Sequence, residues 1–448
     1  MKTFHIEISN LGPIKSALFD SAQMNVICGK NNSGKSIFLH TVYCFLAYWR
    51  YQIPFKFIQS DEVSMLSVGD ATVDYEKYIR LIDQNIKDSM SGFISQLPTL
   101  LAKEIDTSET TITFSLDKEY ALALFRSMSL DFIFEISKDA AFKVVKSKDT
   151  FLVKYSLVNK TGANLDEDSI INAYRYVAAQ ICHFVLPVPM LLTAERAGSI
   201  MYGADVLAHG FQLSQNSIGQ QTTMPHRYPY ALIQEIQFLQ NVKRGQFESI
   251  ASVSDGVERG LVDEFGKKVA KGSFVVEDGR IFYHSTDMQS KTLIDVEAAS
   301  TSVKALVGLH YFLKSMRSLA SLLMIDEPEL NLHPARQREL IRFLAKLINV
   351  GGIGVAISTH SPTIVRELNT LIALWEHKEQ CEDVIRDFKY TTEELLSKDS
   401  VACGVVEGGG ICQVKNADLA DGFFVKSFDD TADQISNIQS AIVEKWDE

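Results

Sequence analysis

The sequence predicts an α/β fold, a mixed and largely parallel sheet with helices on its faces. Three observations carry this. The glycine-rich stretch Gly29–Ser36 lies between a short apolar run, Met24–Cys28, and a run that continues as a buried helix over 36–49. Later, the apolar runs Leu322–Ile325 and Ile353–Ser358 bracket a helical stretch, Ala335–Leu347, and that β/α/β alternation implies parallel strands. Hydrophobic residues make up 46% of the 448, ample for a large core.

The elements follow in chain order. Residues 4–8 and 16–19 alternate as strands of an opening hairpin joined at Asn10-Leu11-Gly12-Pro13. From about 51 to 100 the pattern is helical and amphipathic, with Ile79, Ile82, Ile86 and Phe93 spaced to pack on other helices. Strands are expected at Thr111–Ser115, Phe132–Ile136, Phe142–Lys146 and Phe151–Leu157, then a helix from Asp166 to Cys182 and a strand ending at Leu192-Thr193. Residues 230–270, polar and helical with breaks at Gly245 and Gly256, read as a short helical projection. A hairpin, Ser273–Val276 with Ile281–His284, turns on Asp278-Gly279, and a helix over Thr301–Leu319 precedes the strand at 322. Two short strands, 401–406 and 411–415, surround Gly408-Gly409-Gly410, and a closing helix starts at about Thr431. The expected organisation is one head over 1–370, with an insertion at about 51–184 and the projection at about 230–270, followed by a C-terminal α/β extension over 371–448.

A net charge of −12 argues against a protein that coats DNA, since phosphate binding needs clustered Lys and Arg, yet it leaves room for a local basic groove. Lys143, Lys146, Lys148 and Lys154 group together, as do Lys267, Lys268 and Lys271, and solvated faces are the other reading of both groups. No apolar run approaches the roughly 18–20 residues of a membrane span, and the N-terminus alternates like a strand, unlike a signal peptide. A soluble, cytoplasmic protein without membrane contact is expected. The six cysteines lack metal-ligand spacing and read as reduced core residues.

Gly29-Lys30-Asn31-Asn32-Ser33-Gly34-Lys35-Ser36 is a complete G-x-x-x-x-G-K-[ST] phosphate-binding loop. Backbone N–H groups of such a loop curl around the β- and γ-phosphates, and the helix N-terminus adds its dipole. Lys35 neutralises phosphate charge there and the Ser36 hydroxyl is placed to ligate Mg²⁺. The strand Leu322–Ile325 ends in Asp326-Glu327-Pro328, so a buried strand delivers Asp326 to its tip, where it can hold Mg²⁺. Glu327 points differently and can polarise an attacking water; a solvated acidic turn is the alternative. Since 291 positions separate Lys35 from Asp326, a large insertion lies inside one nucleotide-binding fold. The strand 355–358 runs into Thr359-His360-Ser361-Pro362, which puts His360 at the sheet edge within reach of a γ-phosphate, although a histidine at a strand end also serves structurally.

In this order the motifs resemble those of ABC-type ATPase heads of the SMC/RecF class, in the group of prokaryotic AAA-family ATPases related to the OLD nucleases. The resemblance spans residues 1 to about 370 and implies an ABC-type P-loop ATPase head. By it Gly29, Asn31, Asn32, Ser33, Gly34, Lys35 and Ser36 form Walker A, Asp326 and Glu327 form Walker B, Asn331 falls in the D-loop, and His360 is the switch histidine. The family's signature helix, which binds the γ-phosphate of the opposite protomer, is matched by Ala299–Leu306 with Ser300 and Ser302. Ser302 stands where glycine is usual, which removes the closest backbone approach and implies slow turnover. Thr193-Ala194-Glu195-Arg196-Ala197-Gly198 resembles a strand running into Ala-Glu-Arg, where the Glu–Arg pair is either a structural ion pair or a group near the nucleotide or dimer interface.

The resemblance further implies a Mg²⁺-dependent ATPase that assembles at least as a head-to-head dimer with ATP between the protomers. The 88 residues from 361 to 448 leave no room for a Toprim nuclease domain, and SMC-type coiled-coil arms are missing. The expected function is thus an ATP-driven sensor or switch subunit of a prokaryotic anti-phage defence complex, similar to the ATPases of PARIS and Septu. Its expected partners are a separately encoded effector, Toprim-type or another nuclease, and a phage trigger protein. A RecF-like DNA repair ATPase and a nucleotide-binding scaffold with little hydrolysis are the alternatives, and direct nucleic-acid contact stays open.

Overall fold

The computed structural model describes residues 4–57, 70–135, 140–159, 167–181, 186–215, 228–245, 256–286, 293–315, 321–407, 410–413 and 422–423. β1 (Phe4–Leu11) and β2 (Ile14–Asp20) form the expected hairpin, and β3 (Met24–Cys28) leads through the glycine loop into α1 (Lys35–Phe57). The insertion comprises β4 (Asp70–Asp74), α2 (Tyr75–Asp88), α3 (Met90–Leu101), β5 (Thr111–Leu116), α4 (Lys118–Ser127), β6 (Leu130–Glu135), β7 (Ala140–Lys146), β8 (Leu152–Asn159) and α5 (Glu167–Ile181). The chain returns as β9 (Val188–Leu192), α6 (Arg196–Gln215), α7 (Tyr230–Lys243) and α8 (Gly256–Phe265), which runs into one π-helical turn, Gly266–Ala270. Then come β10 (Gly272–Glu277), β11 (Arg280–Ser285), β12 (Ile294–Asp295), α9 (Thr301–Ser315), β13 (Ser321–Asp326) and α10 (Pro334–Gly351). The last described elements are β14 (Gly354–Thr359), α11 (Pro362–Glu376), α12 (Glu382–Asp387), β15 (Val401–Glu407) and β16 (Gly410–Gln413).

The main sheet has nine strands in the order β5-β1-β2-β16-β15-β3-β14-β13-β9. From β15 to β9 every neighbouring pair is parallel, while β15–β16, β1–β2 and β1–β5 are antiparallel. The architecture is therefore a mixed α/β fold, with the glycine loop between the central strand β3 and helix α1. Parallel strands need cover on both faces, and the side chains divide accordingly. Met24, Val26, Leu323, Ile325, Val355 and Ile357 join one core, with α9, α10 and α11. Ile27, Leu322, Met324 and Ala356 join the other, with α1 and the insertion. Each Val, Leu, Ile or Met among them contributes roughly 1.5–3 kcal/mol by leaving water.

Local chemistry explains several boundaries. Asp74 caps α2 by accepting from the Glu76 amide at 2.9 Å. α10 starts at Pro334, where a missing N–H costs nothing, and stops at Gly352 in the left-handed region. Ser361 and Pro362 start α11 in the same way. Ile79, Ile82, Ile86 and Phe93 are buried, as their spacing requires.

Several expectations need correction. The strands after residue 370 are no extension, because β15 lies beside β3 in the middle of the main sheet and β16 bridges it to β2. Their apolar alternation was visible, but strand partners hundreds of residues away are set by tertiary packing. Residues 230–270 are no projection either. Leu239, Val242, Leu261, Phe265 and Val269 are buried in the second core. β5 leaves the insertion to pair with β1, and the four-stranded antiparallel sheet β4-β8-β7-β6 makes up the rest of its strands. β4, α4 and α6 had no counterpart in the sequence reading. The closing helix from Thr431 lies outside the described residues. Among the described residues no helix is long and apolar enough to cross a membrane, and Cys28, Cys44 and Cys403 are buried free thiols.

Because β15 separates β3 from β16, a chain ending at residue 370 should lose the middle of its sheet. It is expected to give no cooperative thermal transition by circular dichroism, whereas the full chain gives one; a cooperative melt of the 1–370 fragment would refute the strand's structural role.

Candidate nucleotide site

Strand register brings the site together. Cys28 is paired with Thr359, Ser358 with Asp326, and Val405 with Cys28, so β3, β14, β13 and β15 end level at one edge. The glycine loop springs from that edge. Gly29 (φ 151°) leaves no room for a side chain, since a Cβ would lie 2.9 Å from the Val406 Cβ. At Gly34 (φ 98°) a Cβ would lie 3.1 Å from Pro13 in the opening hairpin turn. Within the loop Lys35 Nζ donates to the carbonyls of Gly29 (3.0 Å) and Lys30 (2.7 Å), and Ser33 Oγ donates to Lys30 O at 2.6 Å. Asn31 and Asn32 are exposed along its rim. Burial pushes the Lys35 amine below its ordinary pKa, against the pull of Glu327, Glu329 and Asp326.

Side chains alternate across the sheet, so Asp326 falls on the α1 face. Ser36 Oγ donates to Asp326 Oδ1 at 3.1 Å, Ser358 Oγ donates to the same oxygen, and His40 Nε2 lies 3.3 Å from Oδ2. Burial would raise this carboxyl, but the bonds from His40, Ser358 and Ser36 outweigh it and hold the pKa below the ordinary value. Ser36 and Asp326 together are a hard oxygen donor pair of the kind Mg²⁺ takes.

Glu327, the next residue, is left-handed (φ 51°), a conformation costing about 1–2 kcal/mol for a residue with a Cβ. Its N–H is shared between Ser358 O and Ser358 Oγ, both at 3.1 Å. The carboxylate points to His360, whose Nδ1 is 3.4 Å from Glu327 Oε1 and 3.2 Å from Glu329 Oε1. Glu329 Oε1 also accepts from the His360 amide at 2.7 Å and Thr359 Oγ1 at 2.8 Å. Glu329 Oε2 is buried without a hydrogen-bond partner, and burial raises this carboxyl's pKa. The geometry thus joins Lys35, Ser36, Asp326, Glu327 and His360 at one edge.

Among the described residues, Ser300 and Ser302 share no hydrogen bond with that cluster. They are hydrogen-bonded to each other at 2.9 Å at the start of α9, and Ser300 Oγ accepts from Val303 N at 3.4 Å. Asn331 is exposed and left-handed (φ 62°) on the loop after β13.

The sequence reading missed His40, Ser358 and Glu235. His40 follows Ser36 by four residues and so shares its helix face, a signal that was available. Ser358 is visible only through the β13–β14 register. Arg196, whose role was open, is 5% exposed and bonds to main-chain carbonyls of Thr193, Asp326 and Glu327. It makes no ion pair with Glu195; the carboxylate behind it is Glu235. Glu235 is 1% exposed, and its Oε2 accepts from Thr193 N (3.1 Å) and Oγ1 (2.7 Å).

With this geometry in view, residues 232–365 match the family described as the AAA ATPase domain. No curated protein matches the chain. Among solved structures, the Smc head domain with an extended coiled coil bound to the C-terminal domain of ScpA, from Pyrococcus furiosus, is 12% identical with a TM-score of 0.38, over 97% of this chain and 100% of that one. An SmcHead bound to the C-winged helix domain of ScpA is 11% identical with a TM-score of 0.39, over 92% and 96%. The SMC head domain from Thermotoga maritima is 10% identical with a TM-score of 0.31, over 92% and 98%. These are distant likenesses, below the level that carries over an activity. The AAA ATPase match takes in the strand ending in Asp326 and the strand ending before His360, while the glycine loop at 29–36 lies outside it.

Burial raises the Glu235 carboxyl from 4.5 to about 7, against the bonds from Thr193 and the charge of Arg196. Below pH 4.5 the group is protonated folded or unfolded; above 7 folding must bury its charge. The stability it contributes is therefore complete below pH 4.5 and lost as pH rises through 7. Glu235→Gln should match the wild type at pH 5 and exceed it at pH 8 by on the order of 3 kcal/mol, read from urea denaturation; a pH-independent difference would refute this.

Proposed function

We propose that this chain binds and hydrolyses ATP between two copies of itself, and that the ATP-dependent assembly switches a separately encoded effector in prokaryotic anti-phage defence. The observation that carries the ATPase reading is the convergence of the glycine loop, Asp326–Glu327 and His360 at one sheet edge.

In this reading the amides of Gly29 to Gly34 and the Lys35 amine hold the β- and γ-phosphates. Ser36 and Asp326 hold Mg²⁺, which neutralises phosphate charge. Glu327 orients the attacking water and takes its proton, and His360, within 3.4 Å of that carboxylate, senses the γ-phosphate. Ser300 and Ser302, at the N-terminus of α9, meet the γ-phosphate bound by the second copy, and Asn331 lies in the same interface. Loss of the γ-phosphate removes the bridge and loosens the pair.

The defence role is supported by the resemblance of the motif series to ATPase subunits of two-component systems. The effector is then a Toprim-type or other nuclease, a phage trigger protein acts upstream, and the complex works in the cytoplasm. Side-chain placement takes one lysine out of each group and leaves Lys143, Lys148, Lys154 and Lys267 exposed. Lys146 is buried, donating to Met128 O at 2.6 Å, and Lys268 is paired with Glu264 and Glu394 at 2.9 Å each. Neither offers free charge to phosphates.

Lys35→Ala should weaken nucleotide binding at least about 100-fold in a fluorescent-nucleotide titration, and Glu327→Gln should lower kcat about 100-fold or more while trapping an ATP-bound dimer on size exclusion. A Glu327→Gln chain with the wild-type rate would remove the water-orienting assignment. Both substitutions should abolish phage protection and ATP-dependent co-purification with the product of the adjacent gene. Full protection by Lys35→Ala would sink the defence reading, and ATPase stimulated by DNA in a salt-sensitive manner would favour DNA repair.

A further inference from the structure

We infer that Arg196 is a positioning residue for hydrolysis: its guanidinium straps the main chain of Asp326 and Glu327 and so fixes where the Glu327 carboxylate points. The inference rests on the reading of Glu327 as the water-orienting group.

The chain turns immediately after β13. Asp326 ends the strand, and Glu327 is left-handed with no glycine to relieve it. Two neighbours hold this turn from opposite sides. From β14, Ser358 takes the Glu327 N–H on its carbonyl and its hydroxyl. From the β9 side, Arg196 Nη1 donates to Asp326 O and Nη2 to Glu327 O, both at 2.8 Å. Nη1 also donates to Thr193 O at 3.0 Å, just beyond the β9 residue Leu192 that pairs with Ile325 of β13. The Glu327 peptide is thereby clamped between the two strands that flank its own.

The task suits arginine. A planar fork can reach two consecutive carbonyls and a third on the neighbouring strand, whereas an ammonium is a single point on a mobile stem. Pro328 and Leu332, buried residues of the same loop, line a small cavity together with Arg196, Leu306 and Leu309. Burial lowers the Arg196 pKa, and the nearby carboxylates of Glu235, Asp326, Glu329 and Glu327 pull it back. The cation thus sits behind the acidic cluster, opposite Lys35 in the loop.

A purely structural arginine would lower stability and nucleotide affinity together. A positioning arginine acts through Glu327, because the Asp326 carboxylate is held separately by Ser36, Ser358 and His40. The test compares Arg196→Lys and Arg196→Met with the wild type in the full chain, measuring fluorescent-nucleotide affinity and Lys35-dependent turnover. Affinity should stay within about threefold, and kcat should fall about 30-fold or more. In a Glu327→Gln background, adding Arg196→Lys should change the residual rate by less than about threefold. Losses that multiply, a parallel loss of affinity, or a wild-type kcat in folded Arg196→Lys each overturn the inference. A wild-type chain no faster than Lys35→Ala overturns the underlying ATPase reading, and the inference with it. Should neither Arg196 variant fold, a crystal structure of the wild type with a non-hydrolysable ATP analogue decides. Arg196 bonded to both carbonyls with Glu327 left-handed supports the strap; Arg196 elsewhere, or Glu327 at negative φ, overturns it.

Discussion

Parallel pairing of β3, β14 and β13 is the constraint on which the rest depends. Parallel strands point their carboxyl ends the same way, and the observed register puts Cys28 opposite Thr359 and Ser358 opposite Asp326. The residues that follow each strand therefore share one edge of the sheet: the glycine loop, His360 and Glu327. A register slip of one residue would turn Asp326 away from α1 and toward the other core. The apolar side chains packed on both faces of these strands prevent that slip, since it would drive Leu323 and Ile325 into the space of Leu322 and Met324.

An acidic cluster at such an edge poses an electrostatic problem. Asp326 and Glu329 are buried, and Glu327 lies next to both. Unpaired carboxylates in low dielectric are costly, so each needs donors or a nearby cation. Asp326 receives Ser36, Ser358 and His40; Glu329 receives the Thr359 hydroxyl and His360 amide. Lys35 in the loop and Arg196 behind the β13 turn supply positive charge from two directions. The Lys35 donors now engaged by the Gly29 and Lys30 carbonyls are those a phosphate would take over.

The insertion is tied to the same edge. β5 pairs with β1, and Thr110 Oγ1 donates to Asn10 O at 2.7 Å in the opening hairpin turn. That turn places Pro13 against Gly34. A change at the phosphate loop therefore reaches the insertion both through this turn and through α1, which shares a core with it. From the β9 side, Arg196 of α6 bonds to the carbonyls of the β13 turn, and Glu235 of α7 accepts from Thr193 just beyond β9.

The sequence alone determined the glycine loop, the strand that ends in Asp326–Glu327, the strand that ends before His360, and the β/α alternation around them. It could do so because each is a local signal, a motif or a period read within one turn or strand. Tertiary structure alone decided that β15, from a stretch set apart as an extension, completes the centre of the sheet, because strand partnership far along the chain leaves no local trace. It also decided that the helices over 230–270 are core, since their polar faces masked a narrow buried stripe. The partners of Asp326 and Glu327, namely Ser358 and Arg196, were beyond reach for the same reason: hydrogen bonds between residues 32 and 130 positions apart are fixed by register and packing, which a single sequence does not print.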